Sequence, residues 1–404
     1  MNGENEQERS HRLGVWLIGA RGAISTCVAY GLAGLRDGIV EPVGLVTEKE
    51  PLRSLGMRAF EDFVLGGHEI ARTDLSRSAA ELARNGVLPR DLVAAASADA
   101  AAFEARIRPG LLDLGEVGRA ELDPESAALG GAPIRERVDR IRGDLEAFRD
   151  EHDLERVVVV YLASTEPLRE PAPSWETLEA FEEAIESGED LPASCLYAYA
   201  AFRAKAPFVN FTPNRGASIP ALCELALAEG VPHCGNDGKT GETLIKSALA
   251  PMFAARALRV LAWQGYNMLG NGDGAALADP SRRATKCASK DKALHAILDD
   301  EDLHTGVEID FVPSLHDWKT AMDFVHFEGF LGAKMSLQFT WSGSDSALAA
   351  PLVVDLVRLA DLAASRGEVG GMAHTACFFK SPLDGGTHDF HAQFRALMAY
   401  AAAR

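Results

Sequence analysis

The residues in this sequence that are best suited to chemistry are four lysines. In "TKCASKDK", Lys286 and Lys290 lie one turn apart on one face of a predicted helix. This like-charge pair costs roughly 0.2–0.5 kcal/mol unless an anion lies between the side chains, and a solvated basic face is the alternative. Lys319 in "HDWKTAMDF" and Lys380 in "CFFKSPLD" each stand at the end of an apolar run, where a surface role is the alternative. In a protein of net charge −19, these lysines are candidates for binding an anion or stabilising an oxyanion.

Two segments rich in glycine and polar residues lie before the lysine pair. In "HCGNDGKTGETLIKSAL", a loop opens a predicted long helix whose N-terminal N–H groups favour an anion, although an ordinary capped helix is the alternative. The loop is not a P-loop, because His233 occupies the position of the first glycine of G-x-x-x-x-G-K. In "YNMLGNGDG", Asn267, Asn271 and Asp273 lie in a turn-rich stretch, which turn chemistry alone also explains.

The segment "GVWLIGARGAIST" is similar to a dinucleotide-binding turn but lacks G-x-G-x-x-G. A strand is predicted over residues 15–18 and a helix over 25–35, and Gly22 would let the backbone approach a pyrophosphate at the helix N-terminus. The run "EPVGLVTEKE" is predicted to form a second strand that ends at Glu48, 26 residues after Gly22. An acid at that position favours NAD over NADP, although Arg53 lies close by in sequence.

The order of apolar segments predicts the fold. A buried strand over residues 157–162, a helix over 194–203 and a strand in "PFVNFTPN" indicate an α/β, Rossmann-like, doubly wound parallel sheet over residues 13–239. Ligands of such sheets bind at the carboxyl ends of strands, here the STEP and NFTP loops. Strand-like runs dominate residues 240–344, which predicts a second α+β catalytic and oligomerisation domain with an open mixed sheet. Residues 345–404 begin with an apolar helix that rejoins the first domain, and residues 1–12 are predicted to be a disordered tail.

Composition limits the partners and the compartment. The acidic balance of this 404-residue chain argues against nucleic acid. No apolar run approaches the roughly 20 residues that span a bilayer, so no membrane role is expected. The six cysteines are scattered without a CxxC pair, which favours reduced thiols in a cytoplasm and offers no zinc-site spacing.

Taken together, these stretches resemble the myo-inositol-1-phosphate synthase family, in particular its archaeal-type branch. The matching segments include GVWLIGARGAIST, GLVTE, GGHEI, ASTEP, NFTPN, GNDGKTGETLIK, YNMLGNGDG, SKDK, PSLHDWKTAMDFVHFEGFLG and FFKSP, from about residue 14 to 385. The resemblance implies cyclisation of glucose 6-phosphate to 1D-myo-inositol 3-phosphate with tightly held NAD. The implied steps are oxidation at C5, enolisation, attack of C6 on the C1 aldehyde, and reduction. It also implies a homotetramer formed through the sheet of the second domain.

The resemblance assigns roles to residues at the matching positions. It implies a cofactor site at Gly19, Ala20, Gly22, Ala23, Ile24, Glu48, Ser164, Thr165, Asn210, Thr212 and Asp237. It implies a substrate-phosphate site at Lys239, Thr240, Gly241, Asn271 and Lys290. The implied catalytic residues are Lys286, Lys290, Lys319, Lys380, Asp273 and Asp317. A divalent metal is associated with the archaeal-type branch, and Asp273 is the candidate contact.

Three departures and two alternatives accompany the resemblance. Arg215 follows NFTPN and would add positive charge near the cofactor loop, Glu328 stands where relatives are often basic, and Trp318 precedes Lys319. The sequence assigns no role to Arg21. One alternative function is formation of a five-membered cyclitol phosphate from fructose 6-phosphate for carbocyclic nucleosides, and another is a simple NAD-dependent dehydrogenase.

Overall fold

The computed structural model describes residues 11–112, 122–167, 169–270, 294–300, 302–383 and 386–403. Its strands form two sheets and its helices cover them. The strands are β1 Leu13–Ile18, β2 Phe63–Glu69, β3 Ile107–Pro109, β4 Arg156–Tyr161, β5 Phe208–Asn210, β6 Pro232–Cys234, β7 Arg259–Leu269, β8 His304–Phe311, β9 Trp318–Glu328, β10 Lys334–Ser344 and β11 Gly370–Gly371. The helices are α1 Ala23–Arg36, α2 Leu75–Arg84, α3 Arg90–Ala95, α4 Ser97–Glu104, α5 Pro124–Gly130, α6 Ile134–Glu151, α7 Leu178–Ser187, α8 Ala193–Arg203, α9 Pro220–Glu229, α10 Glu242–Ala255, α11 Asp345–Ser365 and α12 Phe390–Ala402.

The first sheet is parallel throughout and has the order β11-β6-β5-β4-β1-β2-β3. Its central strands are apolar on both faces because helices cover both. On one face, Val158 and Val160 pack with residues of α1 and α11. On the other face, Val157 and Val159 pack with residues of α6 and α8. This double burial explains why "VVVVY" is a continuous apolar run, as is typical of parallel strands.

The predicted doubly wound sheet is confirmed, but one of its predicted strands is wrong. "EPVGLVTEKE" forms irregular backbone and a short 3-10 helix, Val46–Glu48. The strand beside β1 is β2, more than a dozen residues further along the chain. The reason is that α11 supplies a buried carboxylate, Asp355, which accepts hydrogen bonds from the backbone N–H groups of Val46 and Thr47. Those groups are therefore satisfied without pairing in a sheet.

The second sheet is mixed, as predicted, with the order β10-β9-β7-β8. Strands β7 and β9, and β9 and β10, pair antiparallel, whereas β7 and β8 pair parallel. Helix α10 covers one face, where Phe253 packs against Trp263 and Val325. Helix α11 follows β10 and packs against α1 and β4 of the first sheet.

The predicted domain boundaries stay a prediction, and residues 1–10 of the predicted tail lie outside the described residues. Among the described residues, none of the helices is both long and apolar enough to span a membrane.

Candidate active site

A cavity of about 280 Å³ lies at the carboxyl ends of β1, β4 and β5. A second cavity, of about 270 Å³, adjoins it towards the ends of β2 and β3. The two share the residues of the turn after β1 and of the loop after β4. The carboxyl ends of the strands therefore carry one continuous cleft, at the place where open α/β sheets bind their ligands. We call its parts the first and the second cavity.

The turn after β1 separates the two cavities and presents the start of α1. Gly19 has a φ of +87°, a conformation that is strained for a residue with a side chain. A Cβ there would also lie 3.1 Å from the backbone oxygen of Leu162. Ser25 donates from Oγ to the Gly19 oxygen at 2.8 Å and so fixes the turn. Within the described residues, no side chain caps the helix at Gly22. The N-terminal N–H groups of α1 are thus available to an anion in the cleft.

An acid stands at the end of β2, where the second cavity begins. Glu69 accepts hydrogen bonds from the backbone N–H groups of Ile70, Ala71 and Arg21 at 2.8–3.0 Å. It is the acid that the dinucleotide-binding fold places after its second strand. Sequence analysis missed it because the strand was predicted in "EPVGLVTEKE", although "FVLGGHE" offered the same signal of an apolar run that ends in an acid.

Glu48, which the resemblance assigned to the cofactor, lies elsewhere. Its carboxylate lies 2.6 Å from Nη1 of Arg358 on α11 and 3.7 Å from Nε of Arg53. Among the described residues, neither cavity is lined by Glu48. Ala20, the other cofactor candidate at the turn, is fully buried beneath it.

Arg21 gains an explanation from the structure. Its guanidinium pairs with Glu104 at 2.6 Å and donates to the backbone oxygen of Ala71 at 2.9 Å. Because its backbone N–H also bonds to Glu69, Arg21 joins the turn after β1 to the end of β2 and to α4.

The STEP and NFTP loops are joined by a buried amide network. The side chain of Asn214 accepts from the Glu166 N–H at 2.8 Å and donates to the Ser164 oxygen at 3.0 Å. Asn210 donates to the Asn214 oxygen at 2.7 Å and accepts from the Thr212 hydroxyl at 2.8 Å. The predicted residues Ser164, Thr165 and Thr212 line the first cavity, whereas Asn210 lies beneath it and holds the loops together.

Two lysine–aspartate pairs lie at the far side of the first cavity, of which Lys380, Asp237 and Asp345 are among the described lining residues and Lys319 is not. Lys380 Nζ lies 2.8 Å from Oδ1 of Asp237, and the two residues also share a backbone hydrogen bond. Lys319 Nζ lies 3.6 Å from Oδ2 of Asp345, whose other oxygen accepts from the Thr240 hydroxyl at 3.1 Å. Asp345 was missed by sequence analysis; its signal was its position as the first residue of the apolar helix α11.

Comparison with known proteins decides the family. The family described as myo-inositol-1-phosphate synthase, an NAD-binding family, matches residues 13–401. The chain belongs to this family. Inositol-3-phosphate synthase 1 of Bacteroides thetaiotaomicron is 33% identical, over 95% of this chain and 91% of its own length.

Solved structures agree with the family assignment. The myo-inositol-1-phosphate synthase-related protein of Thermotoga maritima has a TM-score of 0.79 at 26% identity and covers 97% of this chain and 99% of its own. Inositol-3-phosphate synthase of Caenorhabditis elegans has a TM-score of 0.84 at 23% identity, over 97% and 85% of the two chains, and supports the fold.

Within the myo-inositol-1-phosphate synthase fold, Asp317 holds the residues on either side of Asp345. Its carboxylate accepts hydrogen bonds from the hydroxyls of Ser344 and Ser346, on either side of Asp345. Burial raises the pKa of the Asp317 carboxyl. Asp317 thereby fixes the start of α11, and with it the carboxylate that pairs with Lys319.

Lys239 points away from the first cavity, although it neighbours Thr240 in sequence. Its ammonium donates to Oε1 of Gln393 at 2.6 Å and lies over the ring of Phe390, both on α12. Burial lowers the pKa of Lys239 to about 8. Lys239 and Gly241 are not among the described residues that line the first cavity, whereas Thr240 is.

Asn271, Asp273, Lys286 and Lys290 lie outside the described residues, as does the helix predicted for "TKCASKDK". Among the residues that the structure describes, no group of three or more His, Cys, Asp or Glu side chains could hold a metal ion.

The three departures from relatives lie away from the first cavity. Arg215 stacks over the ring of Trp175 and donates to the backbone oxygen of Arg169. Glu328 lies 3.5 Å from Arg259 on the neighbouring strand. The indole of Trp318 donates to the backbone oxygen of Asn85, and so joins the second sheet to the end of α2.

Proposed function

We propose that this chain converts glucose 6-phosphate to 1D-myo-inositol 3-phosphate, using NAD that is restored in each turnover. The observation that carries the proposal is the first cavity, which brings a dinucleotide-type turn together with the Lys380–Asp237 pair and with Asp345, the partner of Lys319. A simple dehydrogenase needs the dinucleotide-binding turn and one side chain that acts as an acid or a base. An enolisation followed by an aldol closure also needs cationic groups for successive oxyanions.

The residues of the cleft fit NAD. The start of α1 would hold the pyrophosphate, because Gly19 and Gly22 leave no side chain between it and the cleft. Ser164, Thr165 and Thr212 would face the nicotinamide, since they lie at the ends of β4 and β5. When bound there, NAD would supply the hydride acceptor for oxidation at C5 of the open-chain sugar and, as NADH, the hydride donor for the final reduction.

We assign the adenosine ribose to Glu69. It lies at the end of β2, lines the second cavity and accepts backbone hydrogen bonds that fix its carboxylate. Glu48, the residue predicted for this role, is held by Arg358 outside both cavities.

The two lysine–aspartate pairs would stabilise the negative charge that develops on oxygens of the sugar. An ammonium held by a carboxylate can donate a hydrogen bond to an oxyanion without leaving an isolated charge in the cavity. Lys380 and Lys319 would stabilise the oxygens at C5 and C1, while Asp237 and Asp345 hold the ammonium groups in place. Lys286 and Lys290 stay predicted partners in stabilising these oxygens.

The substrate phosphate would bind where α10 begins. The hydroxyl of Thr240 lines the first cavity, and the first turn of α10 offers backbone N–H groups. Asn271 and Lys290 are the predicted side-chain ligands.

The test is incubation with NAD and either glucose 6-phosphate or fructose 6-phosphate, with the product ring read by NMR and NADH followed by absorbance. The expected result is a six-membered cyclitol phosphate from glucose 6-phosphate without net NADH. A five-membered product from fructose 6-phosphate would favour the alternative cyclase, and stoichiometric NADH would favour a dehydrogenase. Consumption of neither sugar would overturn the proposal.

We further propose a cytoplasmic homotetramer formed through the second sheet. The face of that sheet turned away from α10 exposes Tyr266, Met322 and Phe324, each about two-fifths or more accessible. Light scattering should give four chains for the wild type and fewer for Met322→Glu. Activity after chelation tests the predicted metal at Asp273, and its full retention would exclude that role.

A further inference from the structure

A buried trio of charged side chains lies between α10 and the second sheet. Glu242 and Lys246 stand one turn apart on α10, and Asp323 comes from β9. Nζ of Lys246 lies 2.7 Å from Oε1 of Glu242 and 3.4 Å from Oδ1 of Asp323. The three side chains are at most 1% exposed.

Stability alone is a poor explanation of this trio. Burying an ion pair costs several kcal/mol per ion in desolvation, and apolar replacements of similar volume are often neutral or stabilising. Here two carboxylates share the ammonium of Lys246, which adds repulsion between them. Burial, and then the charge of Glu242, raises the pKa of Asp323. The net contribution of the trio to the free energy of folding is therefore expected to be small.

The surrounding strands are built to accommodate the trio. The indole N–H of Trp263 on β7 donates to Oδ1 of Asp323 at 2.8 Å. At Gly265, two residues along the same strand, a Cβ would lie 2.4 Å from Oε1 of Glu242 and 3.0 Å from Nζ of Lys246. A side chain at Gly265 would thus displace the trio.

The trio connects the two sides of the substrate site. Glu242 is the first residue of α10 and directly follows Thr240 and Gly241. Asp323 and Lys319 lie on the same face of β9, four residues apart. A shift of α10 along β9 would therefore change the distance between the start of α10 and the Lys319 ammonium.

We propose that Glu242, Lys246 and Asp323 are positioning residues that hold the start of α10 at a fixed distance from Lys319. This inference rests on the proposed function, because the start of α10 is there assigned to the substrate phosphate and Lys319 to the reacting sugar. In this assignment the three side chains contact neither the phosphate nor the sugar, and they act by fixing α10 and β9, which carry the groups that do.

The test variant is Asp323→Asn, which keeps the volume and an acceptor for Trp263 but removes the charge. The matched control is Asp361→Asn, which removes a carboxylate that is also buried, but which pairs with Arg58 and Arg156 at the opposite end of the first sheet. We expect D323N to lower kcat at least tenfold and to leave the Kd for NAD within twofold. D361N should leave kcat within twofold. If D323N does not fold, E242Q replaces it.

Hydrogen–deuterium exchange of residues 239–250 provides a readout that does not depend on turnover. D323N should speed exchange in the first turn of α10 and D361N should not. Wild-type kcat in D323N, or unchanged exchange, would overturn the inference. If the wild type consumes no sugar while D323N still loosens α10, the proposed function fails and the anchoring of α10 stands.

Discussion

Replacing Glu69 by glutamine tests the assignment of the adenosine ribose most directly. Two of the three backbone N–H groups that Glu69 holds bond to Oε1, and one bonds to Oε2. An amide keeps one oxygen, so the glutamine side chain of E69Q can retain the bonds to Ile70 and Ala71. On the other side it would present an N–H₂ group to the Arg21 N–H. The change is therefore confined to the side of the carboxylate that faces the turn after β1.

The expected size follows from the number of hydrogen bonds at stake. A carboxylate offers about four lone-pair sites, and three are used by backbone N–H groups, which leaves one for a ribose hydroxyl. A hydrogen bond to a charged group contributes about 1.5–3 kcal/mol. At about 1.4 kcal/mol for each factor of ten, E69Q should weaken NAD binding by roughly ten- to a hundredfold.

The assay is titration of the cofactor-free protein with NAD, followed by calorimetry or fluorescence, for E69Q and for a matched E48Q variant. E48Q removes the charge that pairs with Arg358 outside both cavities, and it should change the Kd for NAD less than threefold. The reasoning is refuted if E48Q weakens NAD binding tenfold while E69Q does not. In that case the loop of Glu48 must reach the ribose.

Three further outcomes are expected. Lys380→Met should lower kcat by roughly 100- to 1,000-fold while NAD stays bound, as shown by steady-state kinetics and by cofactor content; wild-type turnover would remove Lys380 from the mechanism. Lys239 has a folded-state pKa of about 8, below its usual 10.5, so the unfolded chain binds more protons between these pH values. The free energy of unfolding of the wild type should therefore rise by about 3 kcal/mol between pH 8 and 10.5. Urea unfolding of Lys239→Met should show no such rise, and the KM of this variant for the sugar should be unchanged. Burial lowers the pKa of His233 to about 4, so the unfolded chain binds more protons between pH 6.5 and 4. The wild type should lose about 3 kcal/mol across that interval, and His233→Phe should unfold at lower pH; an unchanged acid midpoint would contradict the burial of a neutral imidazole.

The parts of the fold that the sequence predicts well are those whose pattern is local. The strands β1 and β4 are short apolar runs that end in glycine or hydroxyl residues, and the runs of the second sheet alternate in the manner of half-buried strands. Each of these patterns identifies its strand because the order of apolar and polar residues within the strand itself shows which side chains are buried.

The misplaced strand shows where local pattern fails. Both "EPVGLVTEKE" and "EDFVLGGHEI" are apolar runs that end in an acid, and only one of them pairs with β1. The choice is decided by Asp355, which lies 308 residues from Thr47 and takes up the N–H groups of the first run. Nothing within either run carries that information.

The site divides in the same way. Lysines near glycine-rich loops could be recognised from residue type alone, and Lys319 and Lys380 do lie at or near the first cavity. Their partners could not be assigned so simply, since Asp345 meets Lys319 only because β10 returns beside β9 and turns directly into α11. Conversely, Lys239 was assigned to the substrate phosphate because of its neighbours in sequence. In the structure its ammonium donates to Gln393 on α12, away from the first cavity.

The departure of the opening turn from G-x-G-x-x-G can be explained by the same contacts. In that pattern a second glycine lets the backbone approach the pyrophosphate, and here Arg21 stands two residues after Gly19. Its guanidinium does not crowd the cleft, because Glu104 and the Ala71 oxygen hold it against α4 and the end of β2. Its N–H, meanwhile, orients Glu69. Arg21→Gly would supply the second glycine of the pattern and keep the backbone N–H to Glu69, but it would lose the guanidinium contacts to Glu104 and to the Ala71 oxygen. Because those contacts hold the turn after β1 against the end of β2, where Glu69 lies, we expect the same NAD titration to show weaker binding for Arg21→Gly.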